Sequence, residues 1–204
     1  MRKLHPIAPH EVLARQGHVR RPDGAVEDWT LHTLPADRQV IRVEVSGAEL
    51  WHLTLDDTGA PERLEVRLAE DGRTMDATLT FFEDEVLVWR RGAEPASEAL
   101  AVPPGYRLLW PPVAGREVCL AGSAPPDGTP DAVMCLLVRR RPPDKGWLSL
   151  RPVKLTVRGG ESQLTLDTPG LTAMKATLGP DGGLMRWTEG SAVWETVDPQ
   201  RPVA

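Results

Sequence analysis

The chain has 204 residues, of which 41% are hydrophobic, and it carries 24 Lys and Arg against 29 Asp and Glu, for a formal net charge of -5. This length fits one large domain or two small ones, since domains usually span about 100–200 residues. The mildly negative charge disfavours a nucleic-acid groove, because such grooves use Lys and Arg to neutralise phosphates. We therefore expect no nucleic-acid partner.

The N-terminal residues are basic but lack the apolar run of about 7–15 residues and the small-residue cleavage site of a signal peptide. The longest apolar run, residues 132–138, is much shorter than the roughly 20 residues of a membrane helix. The two cysteines, Cys119 and Cys135, exclude a zinc knuckle and a disulfide framework. The sequence thus predicts a cytoplasmic protein with no integral membrane segment and two reduced core cysteines.

The first predicted element is a short amphipathic helix over residues 6–16, with Gly17 in the position of a left-handed cap. Most of the following chain alternates apolar and polar residues, which is typical of half-buried antiparallel strands. The clearest alternating stretches are residues 43–45, 64–68, 75–81, 153–157 and 164–166.

Turn residues separate these stretches at intervals typical of hairpins. Asp71-Gly72 and Asp181-Gly182 are the strongest examples, since tight primed turns need a positive φ that these residue types tolerate. A second short helix is predicted over residues 92–100 from their Ala and Glu content, although Pro95 interrupts it. Proline-rich stretches beyond it leave residues 106–110 and 133–140 as isolated strands.

A segment in the first half of the sequence is matched by a second segment near its end. The segment 45–49, VSGAE, matches 157–161, VRGGE, and the tetrapeptide LTLD occurs at both 53–56 and 164–167. Further matches follow in the same order, namely Gly59 with Gly170, Leu68 with Leu178, Asp71-Gly72 with Asp181-Gly182 and Met75 with Met185. Antiparallel proteins reuse such short patterns by chance, but the retained order favours an internal duplication.

The duplication predicts a single domain, 1–204, built from repeat one at 28–91 and repeat two at 146–198. Residues 92–145 would be an insertion with a short helix and Pro-rich loops. The predicted fold is mainly β, with a duplicated antiparallel meander that forms two half-barrels or one large open β-barrel, and one or two short helices. Barrels of the larger kind enclose a cavity that side chains cannot fill, which suggests a ligand.

Three segments, 53–73, 105–115 and 164–183, resemble the bacterial glycolipid-binding protein family, whose duplicated half-barrel fold is related to bacterial lipoprotein carriers. The resemblance implies an apolar cavity that accepts an acyl chain or a similar hydrophobic ligand. It provides no catalytic residue. Unlike the envelope carriers, this sequence shows no signal peptide.

Tryptophan dominates the aromatic residues, with 7 Trp against 1 Tyr and 2 Phe. Indole combines a broad apolar surface with one N–H donor, which suits the wall of a ligand cavity, although packing in the core is the alternative for each. The predicted ligand-binding residues are Trp51, Leu53, Val66, Met75, Trp89, Tyr106, Trp187 and Trp194, with Arg42, His52 and Arg67 as polar contacts. The predicted function is non-enzymatic binding of a hydrophobic or amphipathic, lipid- or glycolipid-like small molecule.

Two alternatives belong to other classes of function. His52 and Asp56 lie on one polar strand face and suggest a small β-barrel enzyme in which the imidazole is a general base and the carboxylate orients it; a solvated polar face is the simpler interpretation. An exposed strand edge suggests a protein-interaction module, and the sequence allows a homodimer. No cofactor and no metal site are predicted.

One charged run also bears on ligands. Arg139-Arg140-Arg141 ends a predicted strand just before Pro142. Such a run either meets an anionic headgroup or keeps a strand end solvated, and the sequence favours the solvated interpretation.

Overall fold

The computed structural model describes residues 8–91, 96–120, 129–142, 146–160, 163–167 and 171–197. The described chain is mainly β, with a 3-10 turn at Pro35–Asp37 and a single turn of helix, α1, at Arg116–Cys119. The fifteen strands are β1 Val12–Arg20, β2 Val26–Thr33, β3 Gln39–Val45, β4 Glu49–Leu55, β5 Pro61–Glu70, β6 Arg73–Phe81, β7 Glu85–Arg91, β8 Ala96–Ala101, β9 Arg107–Leu109, β10 Asp131–Arg140, β11 Leu148–Gly160, β12 Gln163–Asp167, β13 Met174–Leu178, β14 Leu184–Glu189 and β15 Ala192–Val197.

The strands form one hydrogen-bonded sheet in the order β8-β7-β6-β5-β4-β3-β2-β1-β15-β14-β13-β12-β11-β10-β9. Chain neighbours pair as antiparallel hairpins from β2 to β8 and from β10 to β15. In contrast, β9 pairs with β10 in parallel, across the connection that contains α1. The strands β8 and β9 lie at the two ends of this order, so the sheet is open over the described residues. The predicted mainly β, antiparallel and open fold is confirmed.

Both helices predicted from the sequence are wrong over the residues that the structure describes. The strand β1 begins at Val12, inside the predicted helix 6–16, and residues 1–7 lie outside the described part. The strand β8 occupies most of the predicted helix 92–100, and residues 92–95 are also outside the described part. Short helices are marginal in isolation, so pairing with a neighbouring strand outweighs their weak local preference.

The isolated strands predicted between the Pro-rich stretches are confirmed. Residues 106–110 contain β9 and residues 133–140 lie within β10. The predicted turn at Asp71-Gly72 is confirmed as well, because it joins β5 to β6 with φ of 50° and 72°, and Glu70 pairs with Arg73 across it. Gly182, between β13 and β14, also has a positive φ of 73°.

The chain forms two compact units. The first unit contains the chain up to Gln16 together with Glu27–Gly105, and the second contains Gly17–Val26 together with the chain from Tyr106 onward. Repeat one, 28–91, therefore lies in the first unit, and repeat two, 146–198, lies in the second.

The core of the first unit lies on one face of its sheet. Because side chains alternate between faces along a strand, residues that pair across strands share a face. One such row runs through Trp29, Val43, Trp51, Val66 and Ala77, and all five side chains are buried. The neighbouring row on the opposite face is polar and runs through Thr30, Arg42, His52, Glu65 and Thr78.

The second unit has the same alternation. A row of paired residues on β11, β12 and β13, namely Val157, Leu166 and Met174, is buried, and Glu189 of β14 continues it. The next row on that face runs through Leu164, Ala176 and Trp187, which is 1% exposed, and continues to Trp194 of β15. This face of the sheet carries the core of the second unit and also the site described below.

The internal duplication stays a prediction. The strands β3–β7 pair in chain order, and so do the strands β11–β15. The matched residues nevertheless occupy different positions within the two sets of strands. Ser46 and Gly47 form the turn after β3, with φ of 43° and 70°. The matching Gly159 lies within β11 and pairs with Leu164 of β12. The two hairpins therefore turn at different points of the repeated segment.

Candidate functional site

A cavity of about 350 Å³ lies in the second unit, where the β9-α1-β10 connection meets β13 and β14. Strand pairing brings two parts of its wall together, since Leu109 pairs with Leu137 and Met174 pairs with Glu189. The full lining is Leu109, Pro111, Arg116, Leu137, Val138, Arg139, Arg140, Leu171, Thr172, Met174 and Glu189. The wall thus combines apolar side chains of β9, β10 and β13 with charged side chains of α1, β10 and β14.

Arg116 is the most deeply buried charged residue of this wall, with 6% exposure. Its Nε donates to the carbonyl oxygens of Trp110, at 2.9 Å, and Pro112, at 3.1 Å. Its Nη2 donates to Trp110, at 2.7 Å, and Pro111, at 3.2 Å. The guanidinium carbon lies 4.7 Å from the centre of the Trp187 ring, within the range of a cation–π contact. The wall therefore holds a positive charge in a fixed orientation.

Local sequence explains how the chain places Arg116. The strand β9 ends at Leu109, and the next segment holds Pro111 and Pro112, which have no N–H to donate to a strand ladder. Gly115 then adopts a left-handed φ of 80°, which favours glycine, and α1 begins immediately after it. The chain thereby folds back so that carbonyls of residues 110–112 face the Arg116 side chain.

The remaining charges lie at the ends of strands. Arg139 and Arg140 end β10 and are exposed, and Arg139 shares the face of Leu137 because strand side chains alternate. Glu189 ends β14 and also lines the cavity. The lining thus contains three arginines against one glutamate, so it is positively charged overall.

None of the site residues predicted from the sequence lines this cavity. In the first unit, Trp51, Leu53, Val66 and Met75 lie together on the buried core face, each with 2% exposure or less. The Trp51 indole donates to the buried carboxylate of Glu49 at 2.9 Å. These four side chains pack in the core of the first unit, and their role in ligand binding stays a prediction.

The other predicted aromatic residues are dispersed. Trp89 of β7 is 46% exposed, and the Arg91 guanidinium lies 5.0 Å from its ring centre. In the second unit Tyr106 is buried, and Trp187 pairs across strands with the half-buried Trp194. Trp187 is linked to the cavity wall through its contact with Arg116.

The three predicted polar contacts lie on the polar face of the first unit, each near a carboxylate. Arg42 lies 2.7 Å from Glu11. Arg67 lies 2.6 Å from Asp76, whose hydrogen bond raises the pKa of the guanidinium. His52 has its Nδ1 3.8 Å from a Glu65 oxygen, at 11% and 12% exposure.

The enzyme alternative uses His52 as the general base and Asp56 as the carboxylate that orients it. In the structure Asp56 forms hydrogen bonds within a turn. One oxygen of Asp56 accepts hydrogen bonds from the Thr58 N–H and hydroxyl and from the Ala60 N–H, at 2.7–2.8 Å. Asp56 therefore closes the turn between β4 and β5. The carboxylate nearest His52 among the ion pairs described is Glu65, on the neighbouring strand.

Sequence reasoning missed Arg116. It stands beside Glu117 in an otherwise apolar stretch, 108–120, and this interruption was the available signal. The prediction for the cysteines is confirmed, since Cys119 and Cys135 are both free and buried. Burial raises the pKa of each thiol to about 12, so neither is a thiolate at neutral pH.

Comparisons with protein-family models, with curated proteins and with solved structures found no match for this chain. Within the described residues, no group of three or more His, Cys, Asp and Glu side chains is placed to hold a metal ion. No helix of the described chain is long and apolar enough to cross a membrane.

Proposed function

We propose that this protein binds a small hydrophobic or amphipathic molecule, lipid- or glycolipid-like, non-covalently in the cavity of its second unit. The supporting observation is the cavity of about 350 Å³, whose wall combines apolar side chains with several charged groups, as an amphipathic ligand requires. Binding sites for small molecules are typically concave and mostly apolar, with volumes of about 300–1,000 Å³ and few polar groups. The volume is at the small end of this range and suits a ligand with one short apolar chain.

The apolar wall provides the main driving force. Leu109, Leu137, Val138 and Met174 are buried side chains of the lining, and each methylene group that a ligand buries against them contributes roughly 0.8 kcal/mol. Charged groups at the wall would then orient the ligand.

The test is a titration of the full chain with octyl glucoside, octyl phosphate and octyltrimethylammonium, each below its micelle concentration. We expect at least one of them to change tryptophan emission saturably, because Arg116 contacts both the cavity and the Trp187 ring. The same ligand should raise the thermal midpoint, since binding to the folded state stabilises by about 2.7 kcal/mol at a hundredfold excess over Kd. If none of the three shows saturable binding, the proposal is wrong.

A variant that fills the cavity tests whether the ligand binds there. Leu171→Trp adds bulk at a half-buried lining position outside the strands, and calorimetry should show that the bound amphiphile is lost. Leu178→Trp, at a half-buried position of β13 outside the lining, is the matched control and should bind normally. Unchanged binding by Leu171→Trp would place the site elsewhere. The cytoplasmic location and the homodimer remain predictions from the sequence.

A further inference from the structure

Resting on the proposed function, we infer that the cavity selects amphiphiles with an anionic head, a carboxylate or a phosphate monoester, and that Arg139 contacts this head. The lining provides the basis for this selectivity, since it holds Arg116, Arg139 and Arg140 against Glu189 alone. An apolar wall beside an excess of arginine matches a molecule with an apolar chain and a negative end.

The buried position of Arg116 strengthens its effect on a ligand. Charges interact more strongly where water is excluded, because the effective dielectric constant falls from about 80 toward about 20 or less. Arg116 is 6% exposed and its side chain is held by carbonyls of residues 110–112. Arginine also keeps its charge at any physiological pH. The wall therefore contains one guanidinium that is permanently charged and shielded from water, and this charge favours an anionic head over a cationic one.

Arg139, which is exposed near the end of β10, contacts the head directly. Arg139 lies on the same face as Leu137, two residues along the strand, so a ligand chain against Leu137 places its head near Arg139. The guanidinium presents paired N–H donors whose spacing matches two oxygens of a carboxylate or phosphate. This contact is accessible to water, so added salt should weaken it.

Glu189 provides a test in which removing a charge should change the affinity for anions in the opposite direction from a change at Arg139. It ends β14, pairs across strands with Met174 and lines the same cavity. Its carboxylate repels an anionic head and attracts a cationic one. Removing its charge should therefore strengthen the binding of anions and weaken the binding of cations, which a general loss of packing would not do.

The experiment compares nonanoate, octyl phosphate, octyl glucoside and octyltrimethylammonium by calorimetry on the full chain. At least one anion should bind about tenfold more tightly than octyl glucoside, the difference that one charge-assisted hydrogen bond supplies. The carboxylate and phosphate arms show which anion is preferred. Raising the salt concentration should weaken anion binding and leave octyl glucoside unaffected.

Three variants separate the contributions. Arg139→Gln should lower affinity for the preferred anion about tenfold with no change for octyl glucoside, since it removes one charged contact. Glu189→Gln should raise the affinity for that anion. Arg158→Gln, at an exposed position of β11 outside the lining, is the matched control and should change neither.

The outcomes distinguish this inference from the proposed function. If octyl glucoside binds as tightly as both anions, the anion selectivity is wrong and the binding function stands. If Arg139→Gln binds the preferred anion like the wild type, the contact of Arg139 with the head is wrong. If no amphiphile binds, the inference and the proposed function are both wrong.

Discussion

Glu11, His32 and Arg42 form a small charged cluster on the polar face of the first unit. Arg42 lies 2.7 Å from a Glu11 oxygen, and the Nδ1 of His32 lies 3.8 Å from the same oxygen. Burial, which leaves the His32 side chain 3% exposed, and the charge of Arg42 lower its pKa, although Glu11 opposes this. Burial would raise the pKa of Glu11, but the Ala8 N–H and Arg42 bring it below its usual value. At neutral pH the cluster therefore contains a neutral imidazole beside an ion pair.

This arrangement predicts a loss of stability in mild acid. Since the folded pKa of His32 lies below the usual 6.5, the unfolded chain takes up the proton first, and the free energy of unfolding falls as pH drops below 6.5. Glu11 adds a further loss below the usual carboxyl pKa of 4.5. In urea titrations from neutral to mildly acid pH, His32→Gln should lose the first decrease and keep the second.

His10→Gln, at an exposed turn, is the control and should retain the acid sensitivity of the wild type. If His32→Gln shows the same slope of stability against pH near 6.5 as the wild type, the imidazole is not the source of that sensitivity.

At the scale of elements, the tight turn between β5 and β6 illustrates what local sequence can specify. Asp71 and Gly72 both have positive φ, and the strands on either side pair from Glu70 with Arg73 to Arg63 with Thr80. A Cβ added at Gly72 would meet no heavy atom within 4 Å. Glycine is therefore favoured at this position by its backbone conformation, and not by a lack of space for a side chain.

We predict that Gly72→Ala lowers the free energy of unfolding by about 1–2 kcal/mol, the cost of a left-handed conformation for a residue with a Cβ. Urea denaturation measures the change. Asp71→Asn should be nearly neutral, since asparagine tolerates φ of 50° as well as aspartate does. A neutral Gly72→Ala would mean that the turn relaxes to another conformation.

At the scale of the whole molecule, the seven tryptophans differ widely in exposure. Trp51, Trp110 and Trp187 are each 1% exposed or less, whereas Trp89 is 46% exposed. At least three of the seven tryptophans therefore contribute to the core. The contact between Trp187 and Arg116 is the point where a core tryptophan meets the cavity wall.

Acrylamide quenching of tryptophan emission checks this distribution. Trp89→Phe should remove a large part of the accessible emission and change stability little, because its ring is on the surface. Trp51→Phe should leave the quenchable part almost unchanged and should destabilise the fold, because it reduces a fully buried side chain bonded to Glu49. Equal losses of quenchable emission in both variants would contradict the difference in exposure between Trp51 and Trp89.

Alternation and turn residues predicted much of the fold because these signals act between near neighbours. The turn at Asp71-Gly72 and the strands at 106–110 and 133–140 follow from such local patterns. The predicted helices failed because their residues pair with other strands, as Ser97 of β8 does with Trp89 of β7. Amphipathic periodicity over a short segment does not reveal such a partner.

The sequence by itself determined the class of fold, the positions of the tight turns and the burial of most large apolar side chains, since period-two alternation fixes which side chains share a face. Only the tertiary structure decided which of these residues surround a cavity. Arg116 reaches the wall through a fold-back after two prolines, and Glu189 reaches it by pairing with Met174 from another strand. The fold-back is local, but the contact of Arg116 with Trp187 and the pairing of Glu189 with Met174 join residues of different strands, which a local pattern cannot encode.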